Sequence, residues 1–327
     1  MKTMKRDWLP LLLIPVLAVV ALPLVGSPAS WVTLTVAGLA MGLMIFVMAS
    51  GLTLTFGLMD VLNFGHGAFI AVGAFVAASV MLALGSWMQA DSLWLNLAAF
   101  LPAVLAAMAV SGALGLVFER VIVQPVYGQH LKQILVTTGG LIVAEQLLKL
   151  VWGPEQITLT RPTALRGAFL LGDIAIEKYR LLAVVIGLLV FAALALTLNR
   201  TRVGLLIRAG VENGEMVEAL GYRIRRLFVG VFVAGSALAG LGGAMWGLYQ
   251  ETVTAAIGAQ VIVLVFIVII IGGLGSVGGC FVGALLVGLT ANYVGFLAPK
   301  MALGSNILLM AIILLWRPQG LFPVAKR

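Results

Sequence analysis

The side chains that could do chemistry in this chain are few. His66 and His130 are its only histidines and Cys280 is its only cysteine. A multi-histidine metal site, a thiolate cluster and an internal disulfide are therefore excluded, and no metal or cofactor is expected. An intramembrane enzyme would need paired aspartates, a Ser–His dyad or a His-rich centre, which two distant histidines do not supply. The run Gly272-Gly-Leu-Gly-Ser-Val-Gly-Gly279 imitates a nucleotide-binding loop only superficially. No Lys followed by Ser or Thr succeeds its last glycine, and Ile267–Ile271 reads as buried helix, not as a strand in a soluble sheet. Gly272, Gly273, Gly275, Gly278 and Gly279 instead read as helix-break glycines, with no catalytic role.

A second irregular stretch runs from Gly51 to Ile70, where Asp60, Asn63 and His66 interrupt an apolar sequence and Gly57, Gly65 and Gly67 permit non-helical backbone. Such an interruption survives at membrane depth only when it is buried in protein or faces a water-filled cavity. One reading makes Asn63, Gly65, His66 and Gly67, together with Glu145, part of a passage or its gate. The other makes the stretch a tight inter-span turn capped by Asn63. Ion coupling would require carboxylates inside the bilayer. Asp60, Glu119, Glu145 and Glu251 are the candidates, and only Glu145 lies well within a span, where pairing with a Thr or Gln146 could make it structural.

Residues 199–226 carry six arginines around a centre containing Glu212, Glu215 and Glu218. Spacing of three places these carboxylates near one another on a helix. Val211, Val217 and Leu220 fall toward the other side, and Gly221 is positioned as a helix-ending glycine. A short amphipathic helix of this kind suits docking into a partner's groove; alternatively its arginines meet anionic lipid.

The elements that position these features are membrane helices. Of 327 residues, 62% are hydrophobic and only 32 are charged (20 basic, 12 acidic), and the mean hydropathy is +1.16. So few charges cannot cover a soluble globule of this size. Apolar blocks near 8–25, 31–57, 66–84, 97–119, 133–152, 181–199, 227–250, 257–275, 279–297 and 303–317 are long enough to approach or cross a ~30 Å hydrocarbon layer. They are apolar on every face, unlike barrel strands. The expected fold is an all-α, polytopic transmembrane helix bundle of about ten spans in one domain. Lys2, Lys5 and Arg6 ahead of the first block imitate a signal peptide, whose removal would leave nine spans. With the N-terminus cytoplasmic, Lys149, Arg161, Arg166, Lys178, Arg180 and Lys300 fall outside and the other fourteen basic residues inside. That bias places both termini in the cytoplasm, 153–180 as a periplasmic loop and 199–226 as a cytoplasmic one. The net charge of +8 thus follows the membrane and is not a sign of nucleic-acid binding. The 39 glycines, in small-xxx-small pairs such as Gly38/Gly42, Gly243/Gly247 and Gly279/Gly283, predict close packing of helix backbones within the bundle more than a dimer face.

Four features in this order, namely Gly51–Phe69, the loop, the Gly272–Gly279 turn and a closing Arg317-Pro-Gln-Gly-Leu-Phe322, resemble the branched-chain amino-acid permease family of bacterial ABC importers. The resemblance spans roughly 33–323. It implies an inner-membrane permease subunit working by alternating access with cytoplasmic ATPase subunits, a second permease chain of the same or a sister kind, and a periplasmic substrate-binding protein. It also implies that Glu218-Ala219-Leu220-Gly221 lies in the coupling loop that contacts the ATPase. The chain departs from the fuller Glu-Ala-Ala-plus-glycine form of other importer classes. It also has Ala68 where family members often carry an acidic residue after the Asn-x-x-His-Gly turn, which argues against a proton-linked role there. Permeases for urea or short amides and an ion-coupled secondary transporter or channel are the alternatives.

Overall fold

The computed structural model describes residues 9–212 and 214–323. Thirteen helices appear among them: α1 (Leu9–Val25), α2 (Pro28–Met59), α3 (His66–Ala83), α4 (Gly85–Gln89), α5 (Leu93–Phe118), α6 (His130–Trp152), α7 (Lys178–Arg200), α8 (Arg202–Glu212), α9 (Gly214–Ala219), α10 (Ile224–Gln250), α11 (Ile257–Gly272), α12 (Val277–Leu297) and α13 (Ala302–Trp316). Seven are long and apolar enough to cross a membrane, and α1, α11 and α13 are shorter apolar helices. Four short strands make two ribbons. β1 (Ile157–Thr158) pairs with β4 (Thr252–Val253), and β2 (Ala168–Leu171) forms a hairpin with β3 (Ile174–Glu177). The chain is an all-α polytopic membrane protein.

The bundle has two ends, a hairpin end carrying β2–β3 and an elbow end carrying α8 and α9. At its centre stands α2, in which residues 42–55 are all buried. A helix apolar on every side belongs in the middle of a bundle, and α2 is held there by α12, α10, α7 and α11. The glycines sit at the seams. A Cβ on Gly42 would fall 2.6 Å from the Ala284 carbonyl, and one on Gly235 would fall 2.7 Å from that of Gly51. The pairs noted in the sequence are used within the chain: Gly38 faces Leu289 and Gly288, Gly243 faces Ile70, and Gly279 and Gly283 face α11. By contrast, α6 and α7 at the periphery leave Leu135, Leu150 and Leu189 exposed, the arrangement of helices bathed in lipid tails.

Two segments share one construction in opposite directions. α2 ends at Asp60, α10 ends at Glu251, and these are the only non-glycine residues with positive φ among those described (50° and 56°). Six residues after each helix's last residue plus one, at His66 and at Ile257, a new helix begins inside the bundle. Both new helices start at the same level. Gly67 and Gly258, each in its helix's first turn and each seven residues beyond the left-handed residue, lie backbone to backbone, with a Cβ on Gly67 falling 2.8 Å from the Gly258 carbonyl. From this junction α3 runs to the hairpin end, where the Trp152 indole N–H donates to Ser79 at 2.7 Å. α11 runs to the elbow end, past Phe64, whose ring is 4.5 Å from that of Phe266. The two halves therefore form an inverted pair. The counterpart of residues 60–65 is residues 251–256, not the Gly272–Gly279 run.

Candidate functional site

Residues 60–65 explain how non-helical backbone persists beside the core. Asp60 meets His130 at 3.8 Å. The Leu62 N–H donates to Gln133 Oε1 at 3.4 Å, and the Phe64 N–H donates to Thr137 Oγ1 at 3.1 Å. Steps of two on the segment match steps of three to four on α6, as expected for extended chain (about 3.3 Å per residue) climbing a helix (1.5 Å per residue). Side chains of α6 thus replace the hydrogen bonds that hydrocarbon cannot supply. At the top of this climb His66 is buried and its Nε2–H donates to the Met48 carbonyl at 2.9 Å, which fixes its tautomer and braces α3 against α2. Asn63 is fully buried, and neither its Oδ1 nor its Nδ2 has a hydrogen-bond partner among the described residues. The expected cap is therefore corrected. The Asn63 backbone carbonyl, not its amide, receives the His66 N–H, at 3.3 Å. Gly65 precedes α3 where a Cβ would strike the Phe118 ring.

Glu145 is not gathered into this group. Its carboxylate pairs with Lys149 one turn along α6, at 2.8 Å, in place of a Thr or Gln146. Glu251, at the hairpin end, belongs to a clamp the sequence did not reveal. Arg161 is mostly buried and binds Glu251 and Glu177, each at 3.1 Å, and also donates to the Leu248 and Tyr249 carbonyls at the end of α10. A helix leaves its last carbonyls without partners, and one guanidinium serves two of them while tying the 153–177 loop to the α10–α11 turn. The Arg161→Ala variant should lose about 2 kcal/mol of local stability. That corresponds to about 30-fold faster tryptic cleavage after the exposed Arg166. Unchanged cleavage would show that the clamp holds nothing.

At the elbow end, the expected helix over Glu212–Glu218 falls on α8 and α9; residue 213 and the side chains of Val211, Glu212 and Glu215 lie outside the described residues. Gly204, Ile207 and Gly210, three residues apart, form the buried face of α8, and Ile207 packs with Leu54 of α2 and Val231 of α10. After α9, Gly221 takes φ 88°. Its N–H reaches the Glu218 carbonyl at 2.9 Å, and the Tyr222 N–H reaches that of Val217 at 3.2 Å. This is a Schellman turn, which favours glycine. The turn separates two residues expected on one side. Val217 is buried against the bundle, whereas Leu220 lies beyond the last helical turn and is 71% exposed. Glu218 and Ala219 are exposed beside it.

The Gly272–Gly279 turn is a joint between α11 and α12. Gly273 and Gly275 have φ of 98° and 81°, Ser276 Oγ accepts the Gly279 N–H at 3.1 Å, and Gly272 abuts Gly279. No neighbour lies within 4 Å of a Cβ on Gly278. The closing Arg317–Phe322 segment folds onto this joint. The Leu321 N–H donates to the Ile271 carbonyl at 2.9 Å and the Phe322 N–H to that of Gly272 at 3.0 Å. Gly57 of α2 touches Gly275 from the other side. Three of the four features that carry the resemblance thus meet at one place, which their separation in sequence hid.

A buried two-way helix junction in a polytopic bundle, with polar groups concentrated there and at the two ends, defines a membrane permease more readily than an enzyme. The sequence profile of the branched-chain amino acid transport system / permease component family matches residues 34–316, and the chain belongs to that family. It is 28% identical over 301 residues to the high-affinity branched-chain amino acid transport system permease protein BraD of Pseudomonas aeruginosa, covering 87% of this chain and 93% of that one. It is 26% identical over 291 residues to the LivH permease protein of Escherichia coli, covering 87% and 92%. It is 22% identical over 291 residues to a probable LivH of Methanocaldococcus jannaschii, covering 85% and 88%. No solved structure matches the chain.

Proposed function

We propose that this protein is the transmembrane permease subunit of an ATP-binding-cassette importer that moves branched-chain amino acids across a bacterial inner membrane. The apolar helices α1, α11 and α13 join the seven longer ones to make ten spans. The elbow end faces the cytoplasm and the hairpin end faces the periplasm, in line with the distribution of arginine and lysine. The observation that carries the reading is the elbow itself. It is anchored through Ile207 and Val217, yet Leu205, Leu220 and Tyr222 stand exposed on it. Apolar side chains held out to solvent on a fixed loop mark a surface awaiting a protein partner, here a cytoplasmic ATPase subunit. At the opposite end Phe169, Leu170 and Leu171 are exposed on β2, a surface for a substrate-binding protein. A second permease chain, the same or a sister subunit, covers part of the periphery.

Transport follows if the elbow is gripped differently with and without ATP, since a partner shifts an equilibrium only by differential contact. The motion is relayed through α8 and α10 to the junction of α3 and α11, where Asn63, Gly65, His66 and Gly67 form the gate. An ion-coupled mechanism has less support. Glu145 and Glu251 are paired with cations, and Asp60 and Glu119 sit at the elbow end. Purification of the chain in mild detergent should recover an ATPase subunit. Replacing Glu218 by Ala and Gly221 by Val together should reduce that recovery at least about tenfold, because a left-handed residue costs a β-branched side chain about 1–2 kcal/mol and reshapes the turn. Undiminished recovery would refute the coupling role, and gradient-driven accumulation without ATP would refute the class.

A further inference from the structure

A cavity of about 880 Å³ lies at the elbow end, between the π-helical turn Glu119–Val123 that closes α5 and the chain leading into α10. π-helical turns recur at functional sites. Glu119, which lines the cavity, is only 1% exposed. Its Oε1 accepts the Tyr127 hydroxyl at 2.9 Å, while Oε2, also buried, has no hydrogen-bond partner. Burial, reinforced by the bond to Glu119, raises the Tyr127 phenol well above its ordinary range, so it stays a donor. Arg120, Arg223, Arg225 and Arg226 line the same cavity with the exposed Glu218 at its rim and form no ion pair among the described residues, and Tyr222 and Val229 add apolar surface.

The cavity thus joins charges of opposite sign, a buried carboxylate and guanidiniums exposed at its mouth. A carboxylate oxygen kept from water without a donor is unfavourable, and the guanidiniums nearby do not close on it. A phosphate or lipid headgroup phosphate would suit the arginines but repel Glu119, and a simple amine would do the reverse. A ligand with an ammonium and a carboxylate on one carbon meets both. We propose that this cavity binds a neutral α-amino acid, its ammonium on Glu119 Oε2, its carboxylate on the arginines and its apolar side chain against Val229 and Tyr222. Gly221 is part of the cavity rim, so occupancy ties the end of α5 to the elbow and places a cytoplasmic amino-acid sensor beside the coupling turn. The choice of an amino acid with an apolar side chain rests on the permease reading above; the requirement for both charges does not.

The test uses the full-length chain in lipid nanodiscs with Gln124→Cys carrying an environment-sensitive fluorophore. Gln124 lines the cavity, whereas the native Cys280 is fully buried. L-leucine should give a saturable signal. Leucinamide, which lacks the carboxylate, and 4-methyl-2-oxopentanoate, which lacks the ammonium, should each bind at least about tenfold more weakly. Glu119→Gln should weaken leucine by a similar factor and leave the oxo acid unchanged, a selectivity that a merely structural role would not produce. The site is overturned if leucine gives no saturation below about 10 mM, or if the oxo acid or inorganic phosphate binds as tightly as leucine. Full leucine affinity in the Gln variant has the same consequence. The ligand series on the unaltered Glu119 chain decides the matter even where the variant folds poorly. ATP-driven uptake is measured separately in proteoliposomes with the ATPase, the second permease chain and the substrate-binding protein. Uptake without leucine binding rejects this site alone, and binding without uptake rejects the transport reading alone.

Discussion

Replacing Gly67 or Gly258 by alanine should reduce substrate uptake below about a tenth of normal while the chain still reaches the membrane. A Cβ on Gly67 would fall 2.8 Å from the Gly258 carbonyl and 3.2 Å from Leu141, and one on Gly258 would strike the Gly67 carbonyl. The two carbonyls are backbone atoms, so no rotamer change can relieve those collisions, and overpacking in such places costs about 1–3 kcal/mol. Paid in only one of two transport states, that cost shifts their ratio by about 5- to 150-fold. Gly139 and Gly278 provide the controls, because a Cβ on either meets nothing within 4 Å. Alanine there should leave uptake unchanged. If all four variants behaved alike, the junction would have no special place in transport.

Ending the chain at Arg317 should destabilise the bundle by about 3–5 kcal/mol. Two hydrogen bonds to the end of α11 disappear, each worth about 1 kcal/mol, and the Leu321 side chain, 1% exposed, is removed at about 1.5–3 kcal/mol. The Ile271 and Gly272 carbonyls are left to find water at a crowded joint. Thermal unfolding in detergent should fall by about 10 °C. Leu321→Asp should reproduce most of the loss, and Gln319→Ala, at an exposed position, should have little effect. A truncated chain that melts with the intact one would show that the terminal segment merely rests on the joint.

The helices were legible because their apolarity is local. The blocks expected at 66–84 and 257–275, for example, became α3 over His66–Ala83 and α11 over Ile257–Gly272. The irregular stretch around Asn63 was also legible, since polar residues and glycines rarely share an apolar run without cause. What the sequence concealed was partnership over distance. Residues 251–256 contain Thr252, Val253 and Thr254 and no glycine, so nothing in their composition announced a break. The only signal was the shared interval from Asp60 to Gly67 and from Glu251 to Gly258. Arg161 read as one more basic residue in an outer loop, because the carbonyls it serves lie almost ninety positions away. Leu220 read as sharing a side with Val217, and only the left-handed Gly221 parts the two. Glu119 read as a span-end acid, and the burial that makes it interesting depends on α10 and the turn before it.

The clasp between the chain's end and α11 has a consequence for biosynthesis. Fifty positions separate Ile271 from Leu321, and translation at about 5–20 residues per second takes several seconds to make them. During that interval α11 is already synthesised but its final carbonyls lack their partners, so the last turn of this helix, at the elbow end, cannot be completed until Leu321 and Phe322 have been made.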